Sequence, residues 1–384
     1  MRFLFKTDYA QDLNLFKHGG QVFWYGLLMA LLLAAPFTVG EYVMSQLHFI
    51  CIYSIVGLGL MLLVGFTGQV SLGHAAFLAV GAYTEALLQA RGVPFFVSLP
   101  VAALVSAALG WVLGLPALRL KGIYLAIATL AFNVIVEEVT ARWEGLTGGN
   151  SGLHLKPIEL FGVKLDGDAG FYYLCLALTV LSILALMNLL RSPTGRAFVA
   201  IRDSEISASC MGVNLATYKT LSFAISAALT GIGGALYAHK VSFISPEQFT
   251  LLQSIELVTI VILGGVGFIH GAVLGAAFII VLPQIISIAK DYLPSNVAGA
   301  GLQAVVFGLV LIGFIIFEPL GLYGRWLKVR TWFELFPFYR RGMFRRQKSY
   351  MKSERLRLTA DELLQGREPR HPLRRRGRGG QGEL

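Results

Sequence analysis

Charged residues are scarce in this sequence. Only 14% of the 384 residues are Asp, Glu, Lys or Arg, whereas 55% are hydrophobic and the mean hydropathy is +0.67. A soluble domain carries about a quarter charged residues. The shortage of charge therefore excludes an ordinary soluble domain and predicts a polytopic membrane protein.

The sequence also has few groups that could carry chemistry. Its three cysteines, Cys51, Cys175 and Cys210, are far apart and lie in or beside apolar runs, so we expect packed thiols and no disulfide framework. No Gly-Lys pair occurs, which excludes the G-x-x-x-x-G-K-[ST] phosphate loop, and no His-x-x-x-His or G-x-S-x-G pattern is present. An enzyme hypothesis is left without a site, and we expect no cofactor and no metal. The first twenty residues also lack the short apolar core of a signal peptide.

Long apolar runs dominate what remains, and a membrane-spanning helix needs roughly 20 such residues. Ten segments qualify: Val22–Val39, Leu47–Gly65, Ala75–Gln89, Phe95–Leu118, Gly122–Val139, Phe171–Leu190, Leu221–Ala238, Leu251–Leu263, Gly271–Ala289 and Val297–Phe317. The third and eighth are short and border glycine-rich stretches, which is typical of discontinuous or re-entrant helices. The sequence predicts an all-α inner-membrane bundle with eight to ten spans.

Basic residues are concentrated at the carboxyl end. Residues 1–324 contain 15 Lys and Arg against 16 Asp and Glu, whereas residues 325–384 contain 17 against 6. Positive charge in short loops marks the cytoplasmic side, which predicts two cytoplasmic termini, a cytoplasmic loop at 191–219 and an outer loop at 140–170. The expected domains are a cytoplasmic segment at 1–21, a membrane domain at 22–324 and a disordered basic tail at 325–384. The tail is expected to contact membrane lipid or to have no specific role, and nucleic-acid binding is not expected.

Polar side chains inside the apolar segments are candidates for a translocation path, because such groups are expensive in a membrane and usually face the bundle interior. The stretch "GFTGQVSLGHAAF" at 65–77 is the most conspicuous, and "GFIHGAVLGAAF" at 267–278 faintly repeats it. The candidates are Gln69, Ser71, His74, Asn133, Gln253 and Glu256. The alternative is that these groups hydrogen-bond neighbouring helices and fix their packing. Glu85 is expected to reach the outer surface as an interfacial group.

The longest polar connection on the predicted cytoplasmic side runs from Arg191 to Phe223. Ser192 and Pro193 favour a helix start, Asp203 or Ser204 favours a second one, and Gly212 favours its end. Two short amphipathic helices in such a loop could receive motion from a soluble motor. The alternative is a simple link between two spans.

Four motifs, in order, resemble a known family. "GFTGQVSLGHAAFLAVGAYT" at 65–84, "TGGNSGL" at 147–153, "GRAFVAIRDSEISASCMGVNLATYKTLSFAISAALTGIGGALYA" at 195–238 and "SIELVTIVILGGVGFIHGAVLGAAF" at 254–278 are similar to the branched-chain amino-acid ABC-transporter permeases of the LivM type. The resemblance covers residues 47–324. It implies the membrane subunit of an ATP-driven importer in the bacterial inner membrane.

The resemblance also implies partners and coupling residues. The expected partners are a homologous second permease, two ATP-binding cassette subunits that bind the ATP, and a periplasmic substrate-binding protein. The residues that would couple to the ATPases are Gly195, Arg196, Arg202, Glu205, Ala208 and Gly212. Branched-chain or other hydrophobic amino acids are the expected substrates; urea, short amides or aromatic acids are the alternative. An ion-coupled secondary transporter using Glu85, Glu137 or Glu256, and a receptor or scaffold without transport, are the other classes.

Overall fold

The computed structural model describes residues 19–120, 122–160, 163–164, 167–291, 302–318 and 320–335. Expectations for residues 1–18, for 297–301 and for the tail beyond 335 lie outside these described residues. The contacts divide the chain into one unit at 2–330 and a second that includes residues from 331 onward. The helices discussed below belong to the first unit, apart from the end of the last one.

The described chain is almost entirely helical. Its helices are α1 (Gly19–Thr38), α2 (Glu41–Met61), α3 (His74–Ala90), α4 (Phe95–Ala117), α5 (Ile123–Arg142), α6 (Glu144–Thr147), α7 (Asp168–Arg191), α8 (Pro193–Asp203), α9 (Glu205–Cys210), α10 (Leu215–Val241), α11 (Leu251–Gly264), α12 (Ile269–Asp291), α13 (Leu302–Phe317) and α14 (Gly321–Leu335). A π-helical turn follows α2, and single 3₁₀ turns lie at Gly149–Ser151 and Pro246–Phe249.

Four two-residue strands join the connections. β1 (Leu153–His154) pairs antiparallel with β4 (Phe243–Ile244), and β2 (Glu159–Leu160) pairs with β3 (Val163–Lys164). The β1–β4 pair ties the connection after α5 to the connection after α10. The "TGGNSGL" motif supplies the tight turn that leads into β1.

Seven of the described helical segments are long enough and apolar enough to cross a membrane. They are Glu41–Phe66, Phe95–Ala117, Ile123–Arg142, Asp168–Arg191, Leu215–Val241, Pro246–Gly264 and Ile269–Ile288; two shorter apolar helices are Val22–Thr38 and Val305–Phe314. The prediction of a polytopic all-helical membrane bundle is confirmed. The predicted short third and eighth segments correspond to α3 and α11, each of which borders a non-helical glycine-rich stretch.

The helix α10 is central to the bundle. It packs against α4, α3 and α2, while α2 also packs against α12 and α7. Glycines permit this close packing: Gly81 of α3 faces Gly231 of α10, and Gly234 of α10 lies against the backbone of α3. Small residues let helix backbones approach where lipid gives no hydrophobic drive for association.

Three sequence expectations need correction. The helices α2 and α10 begin at Glu41 and Leu215, six residues before the predicted starts, because each takes in polar residues that precede the apolar run. Cys51 and Cys175 are buried as expected, but Cys210 is exposed at the end of α9. Residues 325–335 were expected in a disordered tail, yet they continue the helix α14, whose Arg325 pairs with Glu318.

Candidate functional site

The conspicuous polar stretch forms a buried break between α2 and α3. Residues Leu62–Phe66 make a π-helical turn, residues 67–73 are non-helical, and α3 begins at His74. We call residues 67–73 the first break. The Thr67 hydroxyl donates to the Leu63 carbonyl over 2.6 Å, and the backbone N–H of Gln69 donates to the same carbonyl over 3.0 Å. Both bonds satisfy the Leu63 carbonyl, which lies near a helix end where carbonyls lack partners within the helix.

Gln69 is 5% exposed and joins the first break to α10. Its Nε2 donates to the Thr67 hydroxyl over 3.0 Å and to the Ser222 hydroxyl over 2.9 Å. Both hydroxyls spend their own hydrogens on carbonyls, Thr67 on Leu63 and Ser222 on Lys219, so each can only accept from Gln69. The network therefore fixes the orientation of the amide and leaves Oε1 buried without a bond to any described residue.

His74 is fully buried at the start of α3, and its neighbours define its tautomer. Ser226 of α10 donates its hydroxyl hydrogen to the Gly59 carbonyl over 2.6 Å, so it must accept from His74 Nε2, which lies 2.8 Å away. His74 Nδ1 then accepts from the Ser71 hydroxyl, 3.0 Å away. One imidazole thereby joins the first break, α10 and α2.

A second hydrogen-bond path joins the first break to α5 and α11. The Leu72 amide donates to the Thr129 hydroxyl over 2.9 Å, and the Ala75 amide donates to the Ser254 hydroxyl over 3.0 Å. Ser254 donates onward to Asn133 Oδ1 over 3.4 Å. Asn133, 1% exposed, donates to the Phe249 carbonyl over 3.4 Å.

The structure thus brings four of the six candidate path residues together. Gln69, Ser71, His74 and Asn133 are all buried, and each is hydrogen-bonded to another element of the bundle. These contacts are the ones that the packing alternative requires. Contact between these side chains and a transported solute stays a prediction.

The other two candidates, Gln253 and Glu256, are half-buried on α11. Gln253 Nε2 donates to the hydroxyl of Tyr53 over 3.0 Å. Tyr53 belongs to an aromatic cluster with ring centroids 6.0 to 6.5 Å apart, whose members are Phe49, Tyr53, Tyr83, Tyr237 and Phe249. This cluster is not apparent from the sequence because its members come from four separate segments.

Residues 191–219, for which a coupling role is predicted and which we call the coupling loop, run from the end of α7 into the first turn of α10 and contain the two predicted short helices. The Ser192 hydroxyl caps α8 by accepting from the Gly195 amide, and the Ser204 hydroxyl caps α9 by accepting from the Ser207 amide. Gly212 has a φ of +85°, a conformation that favours glycine, just after α9 ends at Cys210. The helix starts and the glycine stop predicted from the sequence are confirmed.

Internal contacts hold the coupling loop in place. Lys219, whose side chain is 4% exposed, donates to Glu205 Oε1 over 2.6 Å and so ties α9 to α10. Ala208 is buried, and Gly195 is packed against the backbone of Leu190 at the end of α7. Phe198 of α8 makes an edge-to-face contact with Tyr218 of α10, with centroids 6.2 Å apart. These interactions support the loop from within the chain.

Three of the six predicted coupling residues, Arg196, Arg202 and Gly212, are exposed. Arg196 donates to the Arg191 carbonyl, whereas Arg202 donates to the Gly65 carbonyl in the π-helical turn. Two exposed apolar residues in the loop were missed by the sequence analysis: Ile206 is 76% exposed and Met211 is 85% exposed. Both are apolar residues in a polar connection, and that contrast is the signal that could have identified them.

Glu85 does not reach the surface, so the expectation of an interfacial group was wrong. It is fully buried, and its Oε1 accepts from the Ser98 hydroxyl over 2.7 Å and lies 3.0 Å from His239 Nε2. The edge of the Phe95 ring packs on His239, with centroids 5.3 Å apart. Glu85, Ser98 and His239 thereby join α3, α4 and α10. Ser98 and His239 give the buried carboxyl group the hydrogen-bond partners that it needs.

Comparison with known families decides the relationship. Residues 42–315 match the family described as branched-chain amino acid transport system / permease component. The chain belongs to this permease family. It is a multi-pass membrane protein and, as a permease subunit, is neither an enzyme nor the carrier of a cofactor. In the part of the chain that the structure describes, no three His, Cys, Asp or Glu side chains form a group that could hold a metal ion.

Individual relatives agree with the family. The chain is 36% identical to the high-affinity branched-chain amino acid transport system permease protein LivM of Salmonella typhimurium, over 77% of this chain and 74% of that protein. It is 35% identical to LivM of Escherichia coli, over 77% and 73%. An autoinducer 2 import system permease protein, LsrC of Salmonella typhi, is 27% identical over 58% and 63%. No solved structure matches the chain.

Replacing Ser226 by alanine distinguishes a packing role of the buried network from a path role in this permease. The change leaves His74 Nε2 without an acceptor, which is expected to lower the free energy of unfolding by about 1–3 kcal/mol. If the network serves packing, transport per folded molecule stays near the wild-type value. Thermal unfolding in detergent micelles and transport per folded protein in liposomes would measure the two quantities. A transport loss at unchanged stability would contradict the packing role.

Proposed function

We propose that this chain is the LivM-type membrane subunit of an ATP-driven importer of branched-chain amino acids. The family match and the two LivM relatives support this substrate class. A permease of this kind needs a path across the membrane and a surface that receives motion from ATP hydrolysis, because the chain has no phosphate-binding loop of its own. The membrane bundle would supply the path, and the coupling loop would supply the surface that receives the motion.

The proposed assembly contains three kinds of protein partner. A homologous second permease would complete the path, two ATP-binding cassette subunits would dock at the coupling loop, and a periplasmic binding protein would deliver the substrate. The complex would lie in the bacterial inner membrane with both termini of this chain in the cytoplasm. Membrane lipid would contact the basic tail, consistent with the charge excess of residues 325–384.

The exposed apolar residues of the coupling loop are the observation that carries the proposal. Ile206 and Met211 lie on a polar loop at an end of the bundle and not on a lipid-facing helix. Buried apolar anchors carry much of the binding energy of protein interfaces. The contacts of Lys219, Ala208 and Phe198 give these anchors a firm support, which suits a surface that must transmit force.

Substitution of Met211 tests the docking surface. In the full transporter, Met211→Asp is expected to lower recovery of the ATP-binding subunits with the permease roughly tenfold or more, because a buried unpaired carboxylate is costly at an interface. Met211→Leu keeps the apolar anchor and should keep wild-type recovery. Co-purification from detergent extracts measures both. Normal recovery with Met211→Asp would contradict docking at this surface.

Uptake measurements separate the substrate classes. Cells that lack their own transporter and express the full complex are expected to accumulate labelled leucine, isoleucine and valine in competition with one another. Uptake of urea, short amides or aromatic acids without uptake of leucine would assign the alternative substrates. Transport by the permease without its ATP-binding subunits, driven by a proton or sodium gradient, would instead indicate a secondary transporter.

A further inference from the structure

The two glycine-rich breaks of the chain meet at one residue of the coupling loop. The second break is residues 265–268, between α11 and α12. A Cβ atom placed on Gly65, just before the first break, would lie 2.7 Å from the Gly267 nitrogen, so the two backbones are in direct contact. The Gly267 amide also donates to the sulfur of Met61 over 3.2 Å. The two stretches that repeat each other in sequence are therefore neighbours in space.

Arg202 lies where these two stretches touch. Its Nη1 donates to the Gly65 carbonyl over 3.2 Å, and a Cβ on Gly267 would lie 3.5 Å from the same nitrogen. Its aliphatic part covers Gly68, where a Cβ would lie 3.3 Å from Arg202 Cγ. One side chain of α8 thus contacts the backbone on both sides of the junction.

The guanidinium group is held in a defined position. Nε and Nη2 donate to Asp203 Oδ1 over 3.1 Å and 3.0 Å, which leaves Nη1 directed at Gly65. Hydrogen bonds from an ionised donor are about twice as strong as neutral ones. Lysine cannot reproduce this fork of donors, because its ammonium group is a single point charge on a flexible stem.

The backbone beside Arg202 has a glycine in each break. Gly68 and Gly267 have φ values of +71° and +87°, in the region that favours glycine, and hinges are typically a few residues at the ends of elements that absorb changes in φ and ψ. The first break leads into α3 and the second into α12. A displacement of α8 would therefore reach two helices of the bundle through one side chain.

We propose that Arg202 is the positioning residue that transmits movement of the coupling loop to both glycine breaks together. This inference rests on the proposed function, in which ATP-binding subunits dock on that loop. In this proposal Arg202 transmits movement within the membrane domain, whereas Ile206 and Met211 bind the ATP-binding subunits.

The test uses the complete transporter in liposomes with Arg202→Met. The ATP-binding subunits are expected to co-purify at the wild-type level and basal ATP hydrolysis to persist, while leucine uptake falls roughly tenfold, as expected for the loss of one charge-assisted hydrogen bond. Arg202→Lys should lose uptake similarly. Arg119→Met removes an exposed arginine outside the coupling loop and should leave uptake unchanged.

Amide hydrogen exchange distinguishes transmission of movement from a merely structural role, because only transmission predicts that the nucleotide response of the two breaks depends on Arg202. In the wild-type complex, a non-hydrolysable ATP analogue is expected to change amide exchange in α8 and in both breaks. With Arg202→Met, the change in α8 should remain and the changes at residues 67–73 and 265–268 should disappear.

Three outcomes would overturn the proposal. They are wild-type uptake with Arg202→Met, an unchanged response of both breaks in that variant, or loss of the ATP-binding subunits, which would place Arg202 in docking. Failure of the wild-type permease to bind ATP-binding subunits at all would instead overturn the proposed function.

Discussion

Replacing Gly234 by alanine is expected to separate α3 from α10 and to destabilise the bundle. A Cβ at this position would lie 2.1 Å from the Leu78 carbonyl oxygen and 3.0 Å from the Ala82 nitrogen. Both neighbours are backbone atoms, so no side chain can rotate away to make room. Overpacking of this kind costs about 1–3 kcal/mol, although alanine favours the helix itself by about 1 kcal/mol. Unfolding by denaturant in mixed micelles would measure the loss.

Gly26 supplies the matched control. It also lies within a helix, α1, but nothing is within 4 Å of the Cβ that alanine would add there. The variant Gly26→Ala is therefore expected to be as stable as the wild type or slightly more stable. Equal stability of the Gly234→Ala and Gly26→Ala variants would show that the packing of α3 against α10 does not require glycine at position 234.

The second large effect is expected from His239→Ala. Among the described residues, the variant leaves the buried Glu85 carboxyl group with Ser98 as its remaining hydrogen-bond partner. Leaving a buried polar group without one of its hydrogen-bond partners costs about 1–3 kcal/mol, and more where that group is charged. The free energy of unfolding of the detergent-solubilised permease should fall by an amount of this order.

An exposed pair in the same chain gives the comparison. Arg142 and Glu138 pair on the surface of α5, with side chains 81% and 55% exposed. Arg142→Ala should cost only a few tenths of a kcal/mol, since water replaces the lost contact. The Glu85→Ala/His239→Ala double variant should lose less than the sum of the two single losses. Additive losses would contradict a direct interaction between Glu85 and His239.

The sequence predicted those features that depend on neighbouring residues. Apolar runs located the helices because about 20 such residues cross a bilayer. Ser192 predicted the start of α8, and the pair Asp203 and Ser204 predicted the start of α9, because a cap acts on amides two or three residues away. Gly212 predicted the end of α9 for an equally local reason. These are the elements on which sequence and structure agree.

Pairings across the chain could not be predicted in the same way. Glu85 and His239 are 154 residues apart, and Arg202 and Gly65 are 137 apart. Nothing in the spacing of either pair indicates contact, because the partners depend on which helices pack together. Glu85 in an apolar run was therefore interpreted as an interfacial group. The polar residues before α2 and α10 were excluded from those helices because the apolar pattern begins after them.

The candidate path illustrates the same limit. His74 and Gln69 were found because polar groups are conspicuous in apolar sequence. Their partners Ser226 and Ser222 are small hydroxyl residues that attract no attention on α10. Burial of both ends of each hydrogen bond follows from the fold alone. The function of these residues consequently stays a prediction, whereas their structural contacts are defined.

The central place of α10 has a consequence for biogenesis. This helix contacts α2, α3 and α4, yet the ribosome makes it after all three. His74 and Glu85 enter the membrane about 150 residues before Ser226 and His239 are synthesised. During that interval the nascent chain holds an imidazole and a carboxyl group that have not met their partners. A translation product that stops before α10 is therefore incomplete at its centre and not merely shortened at one edge.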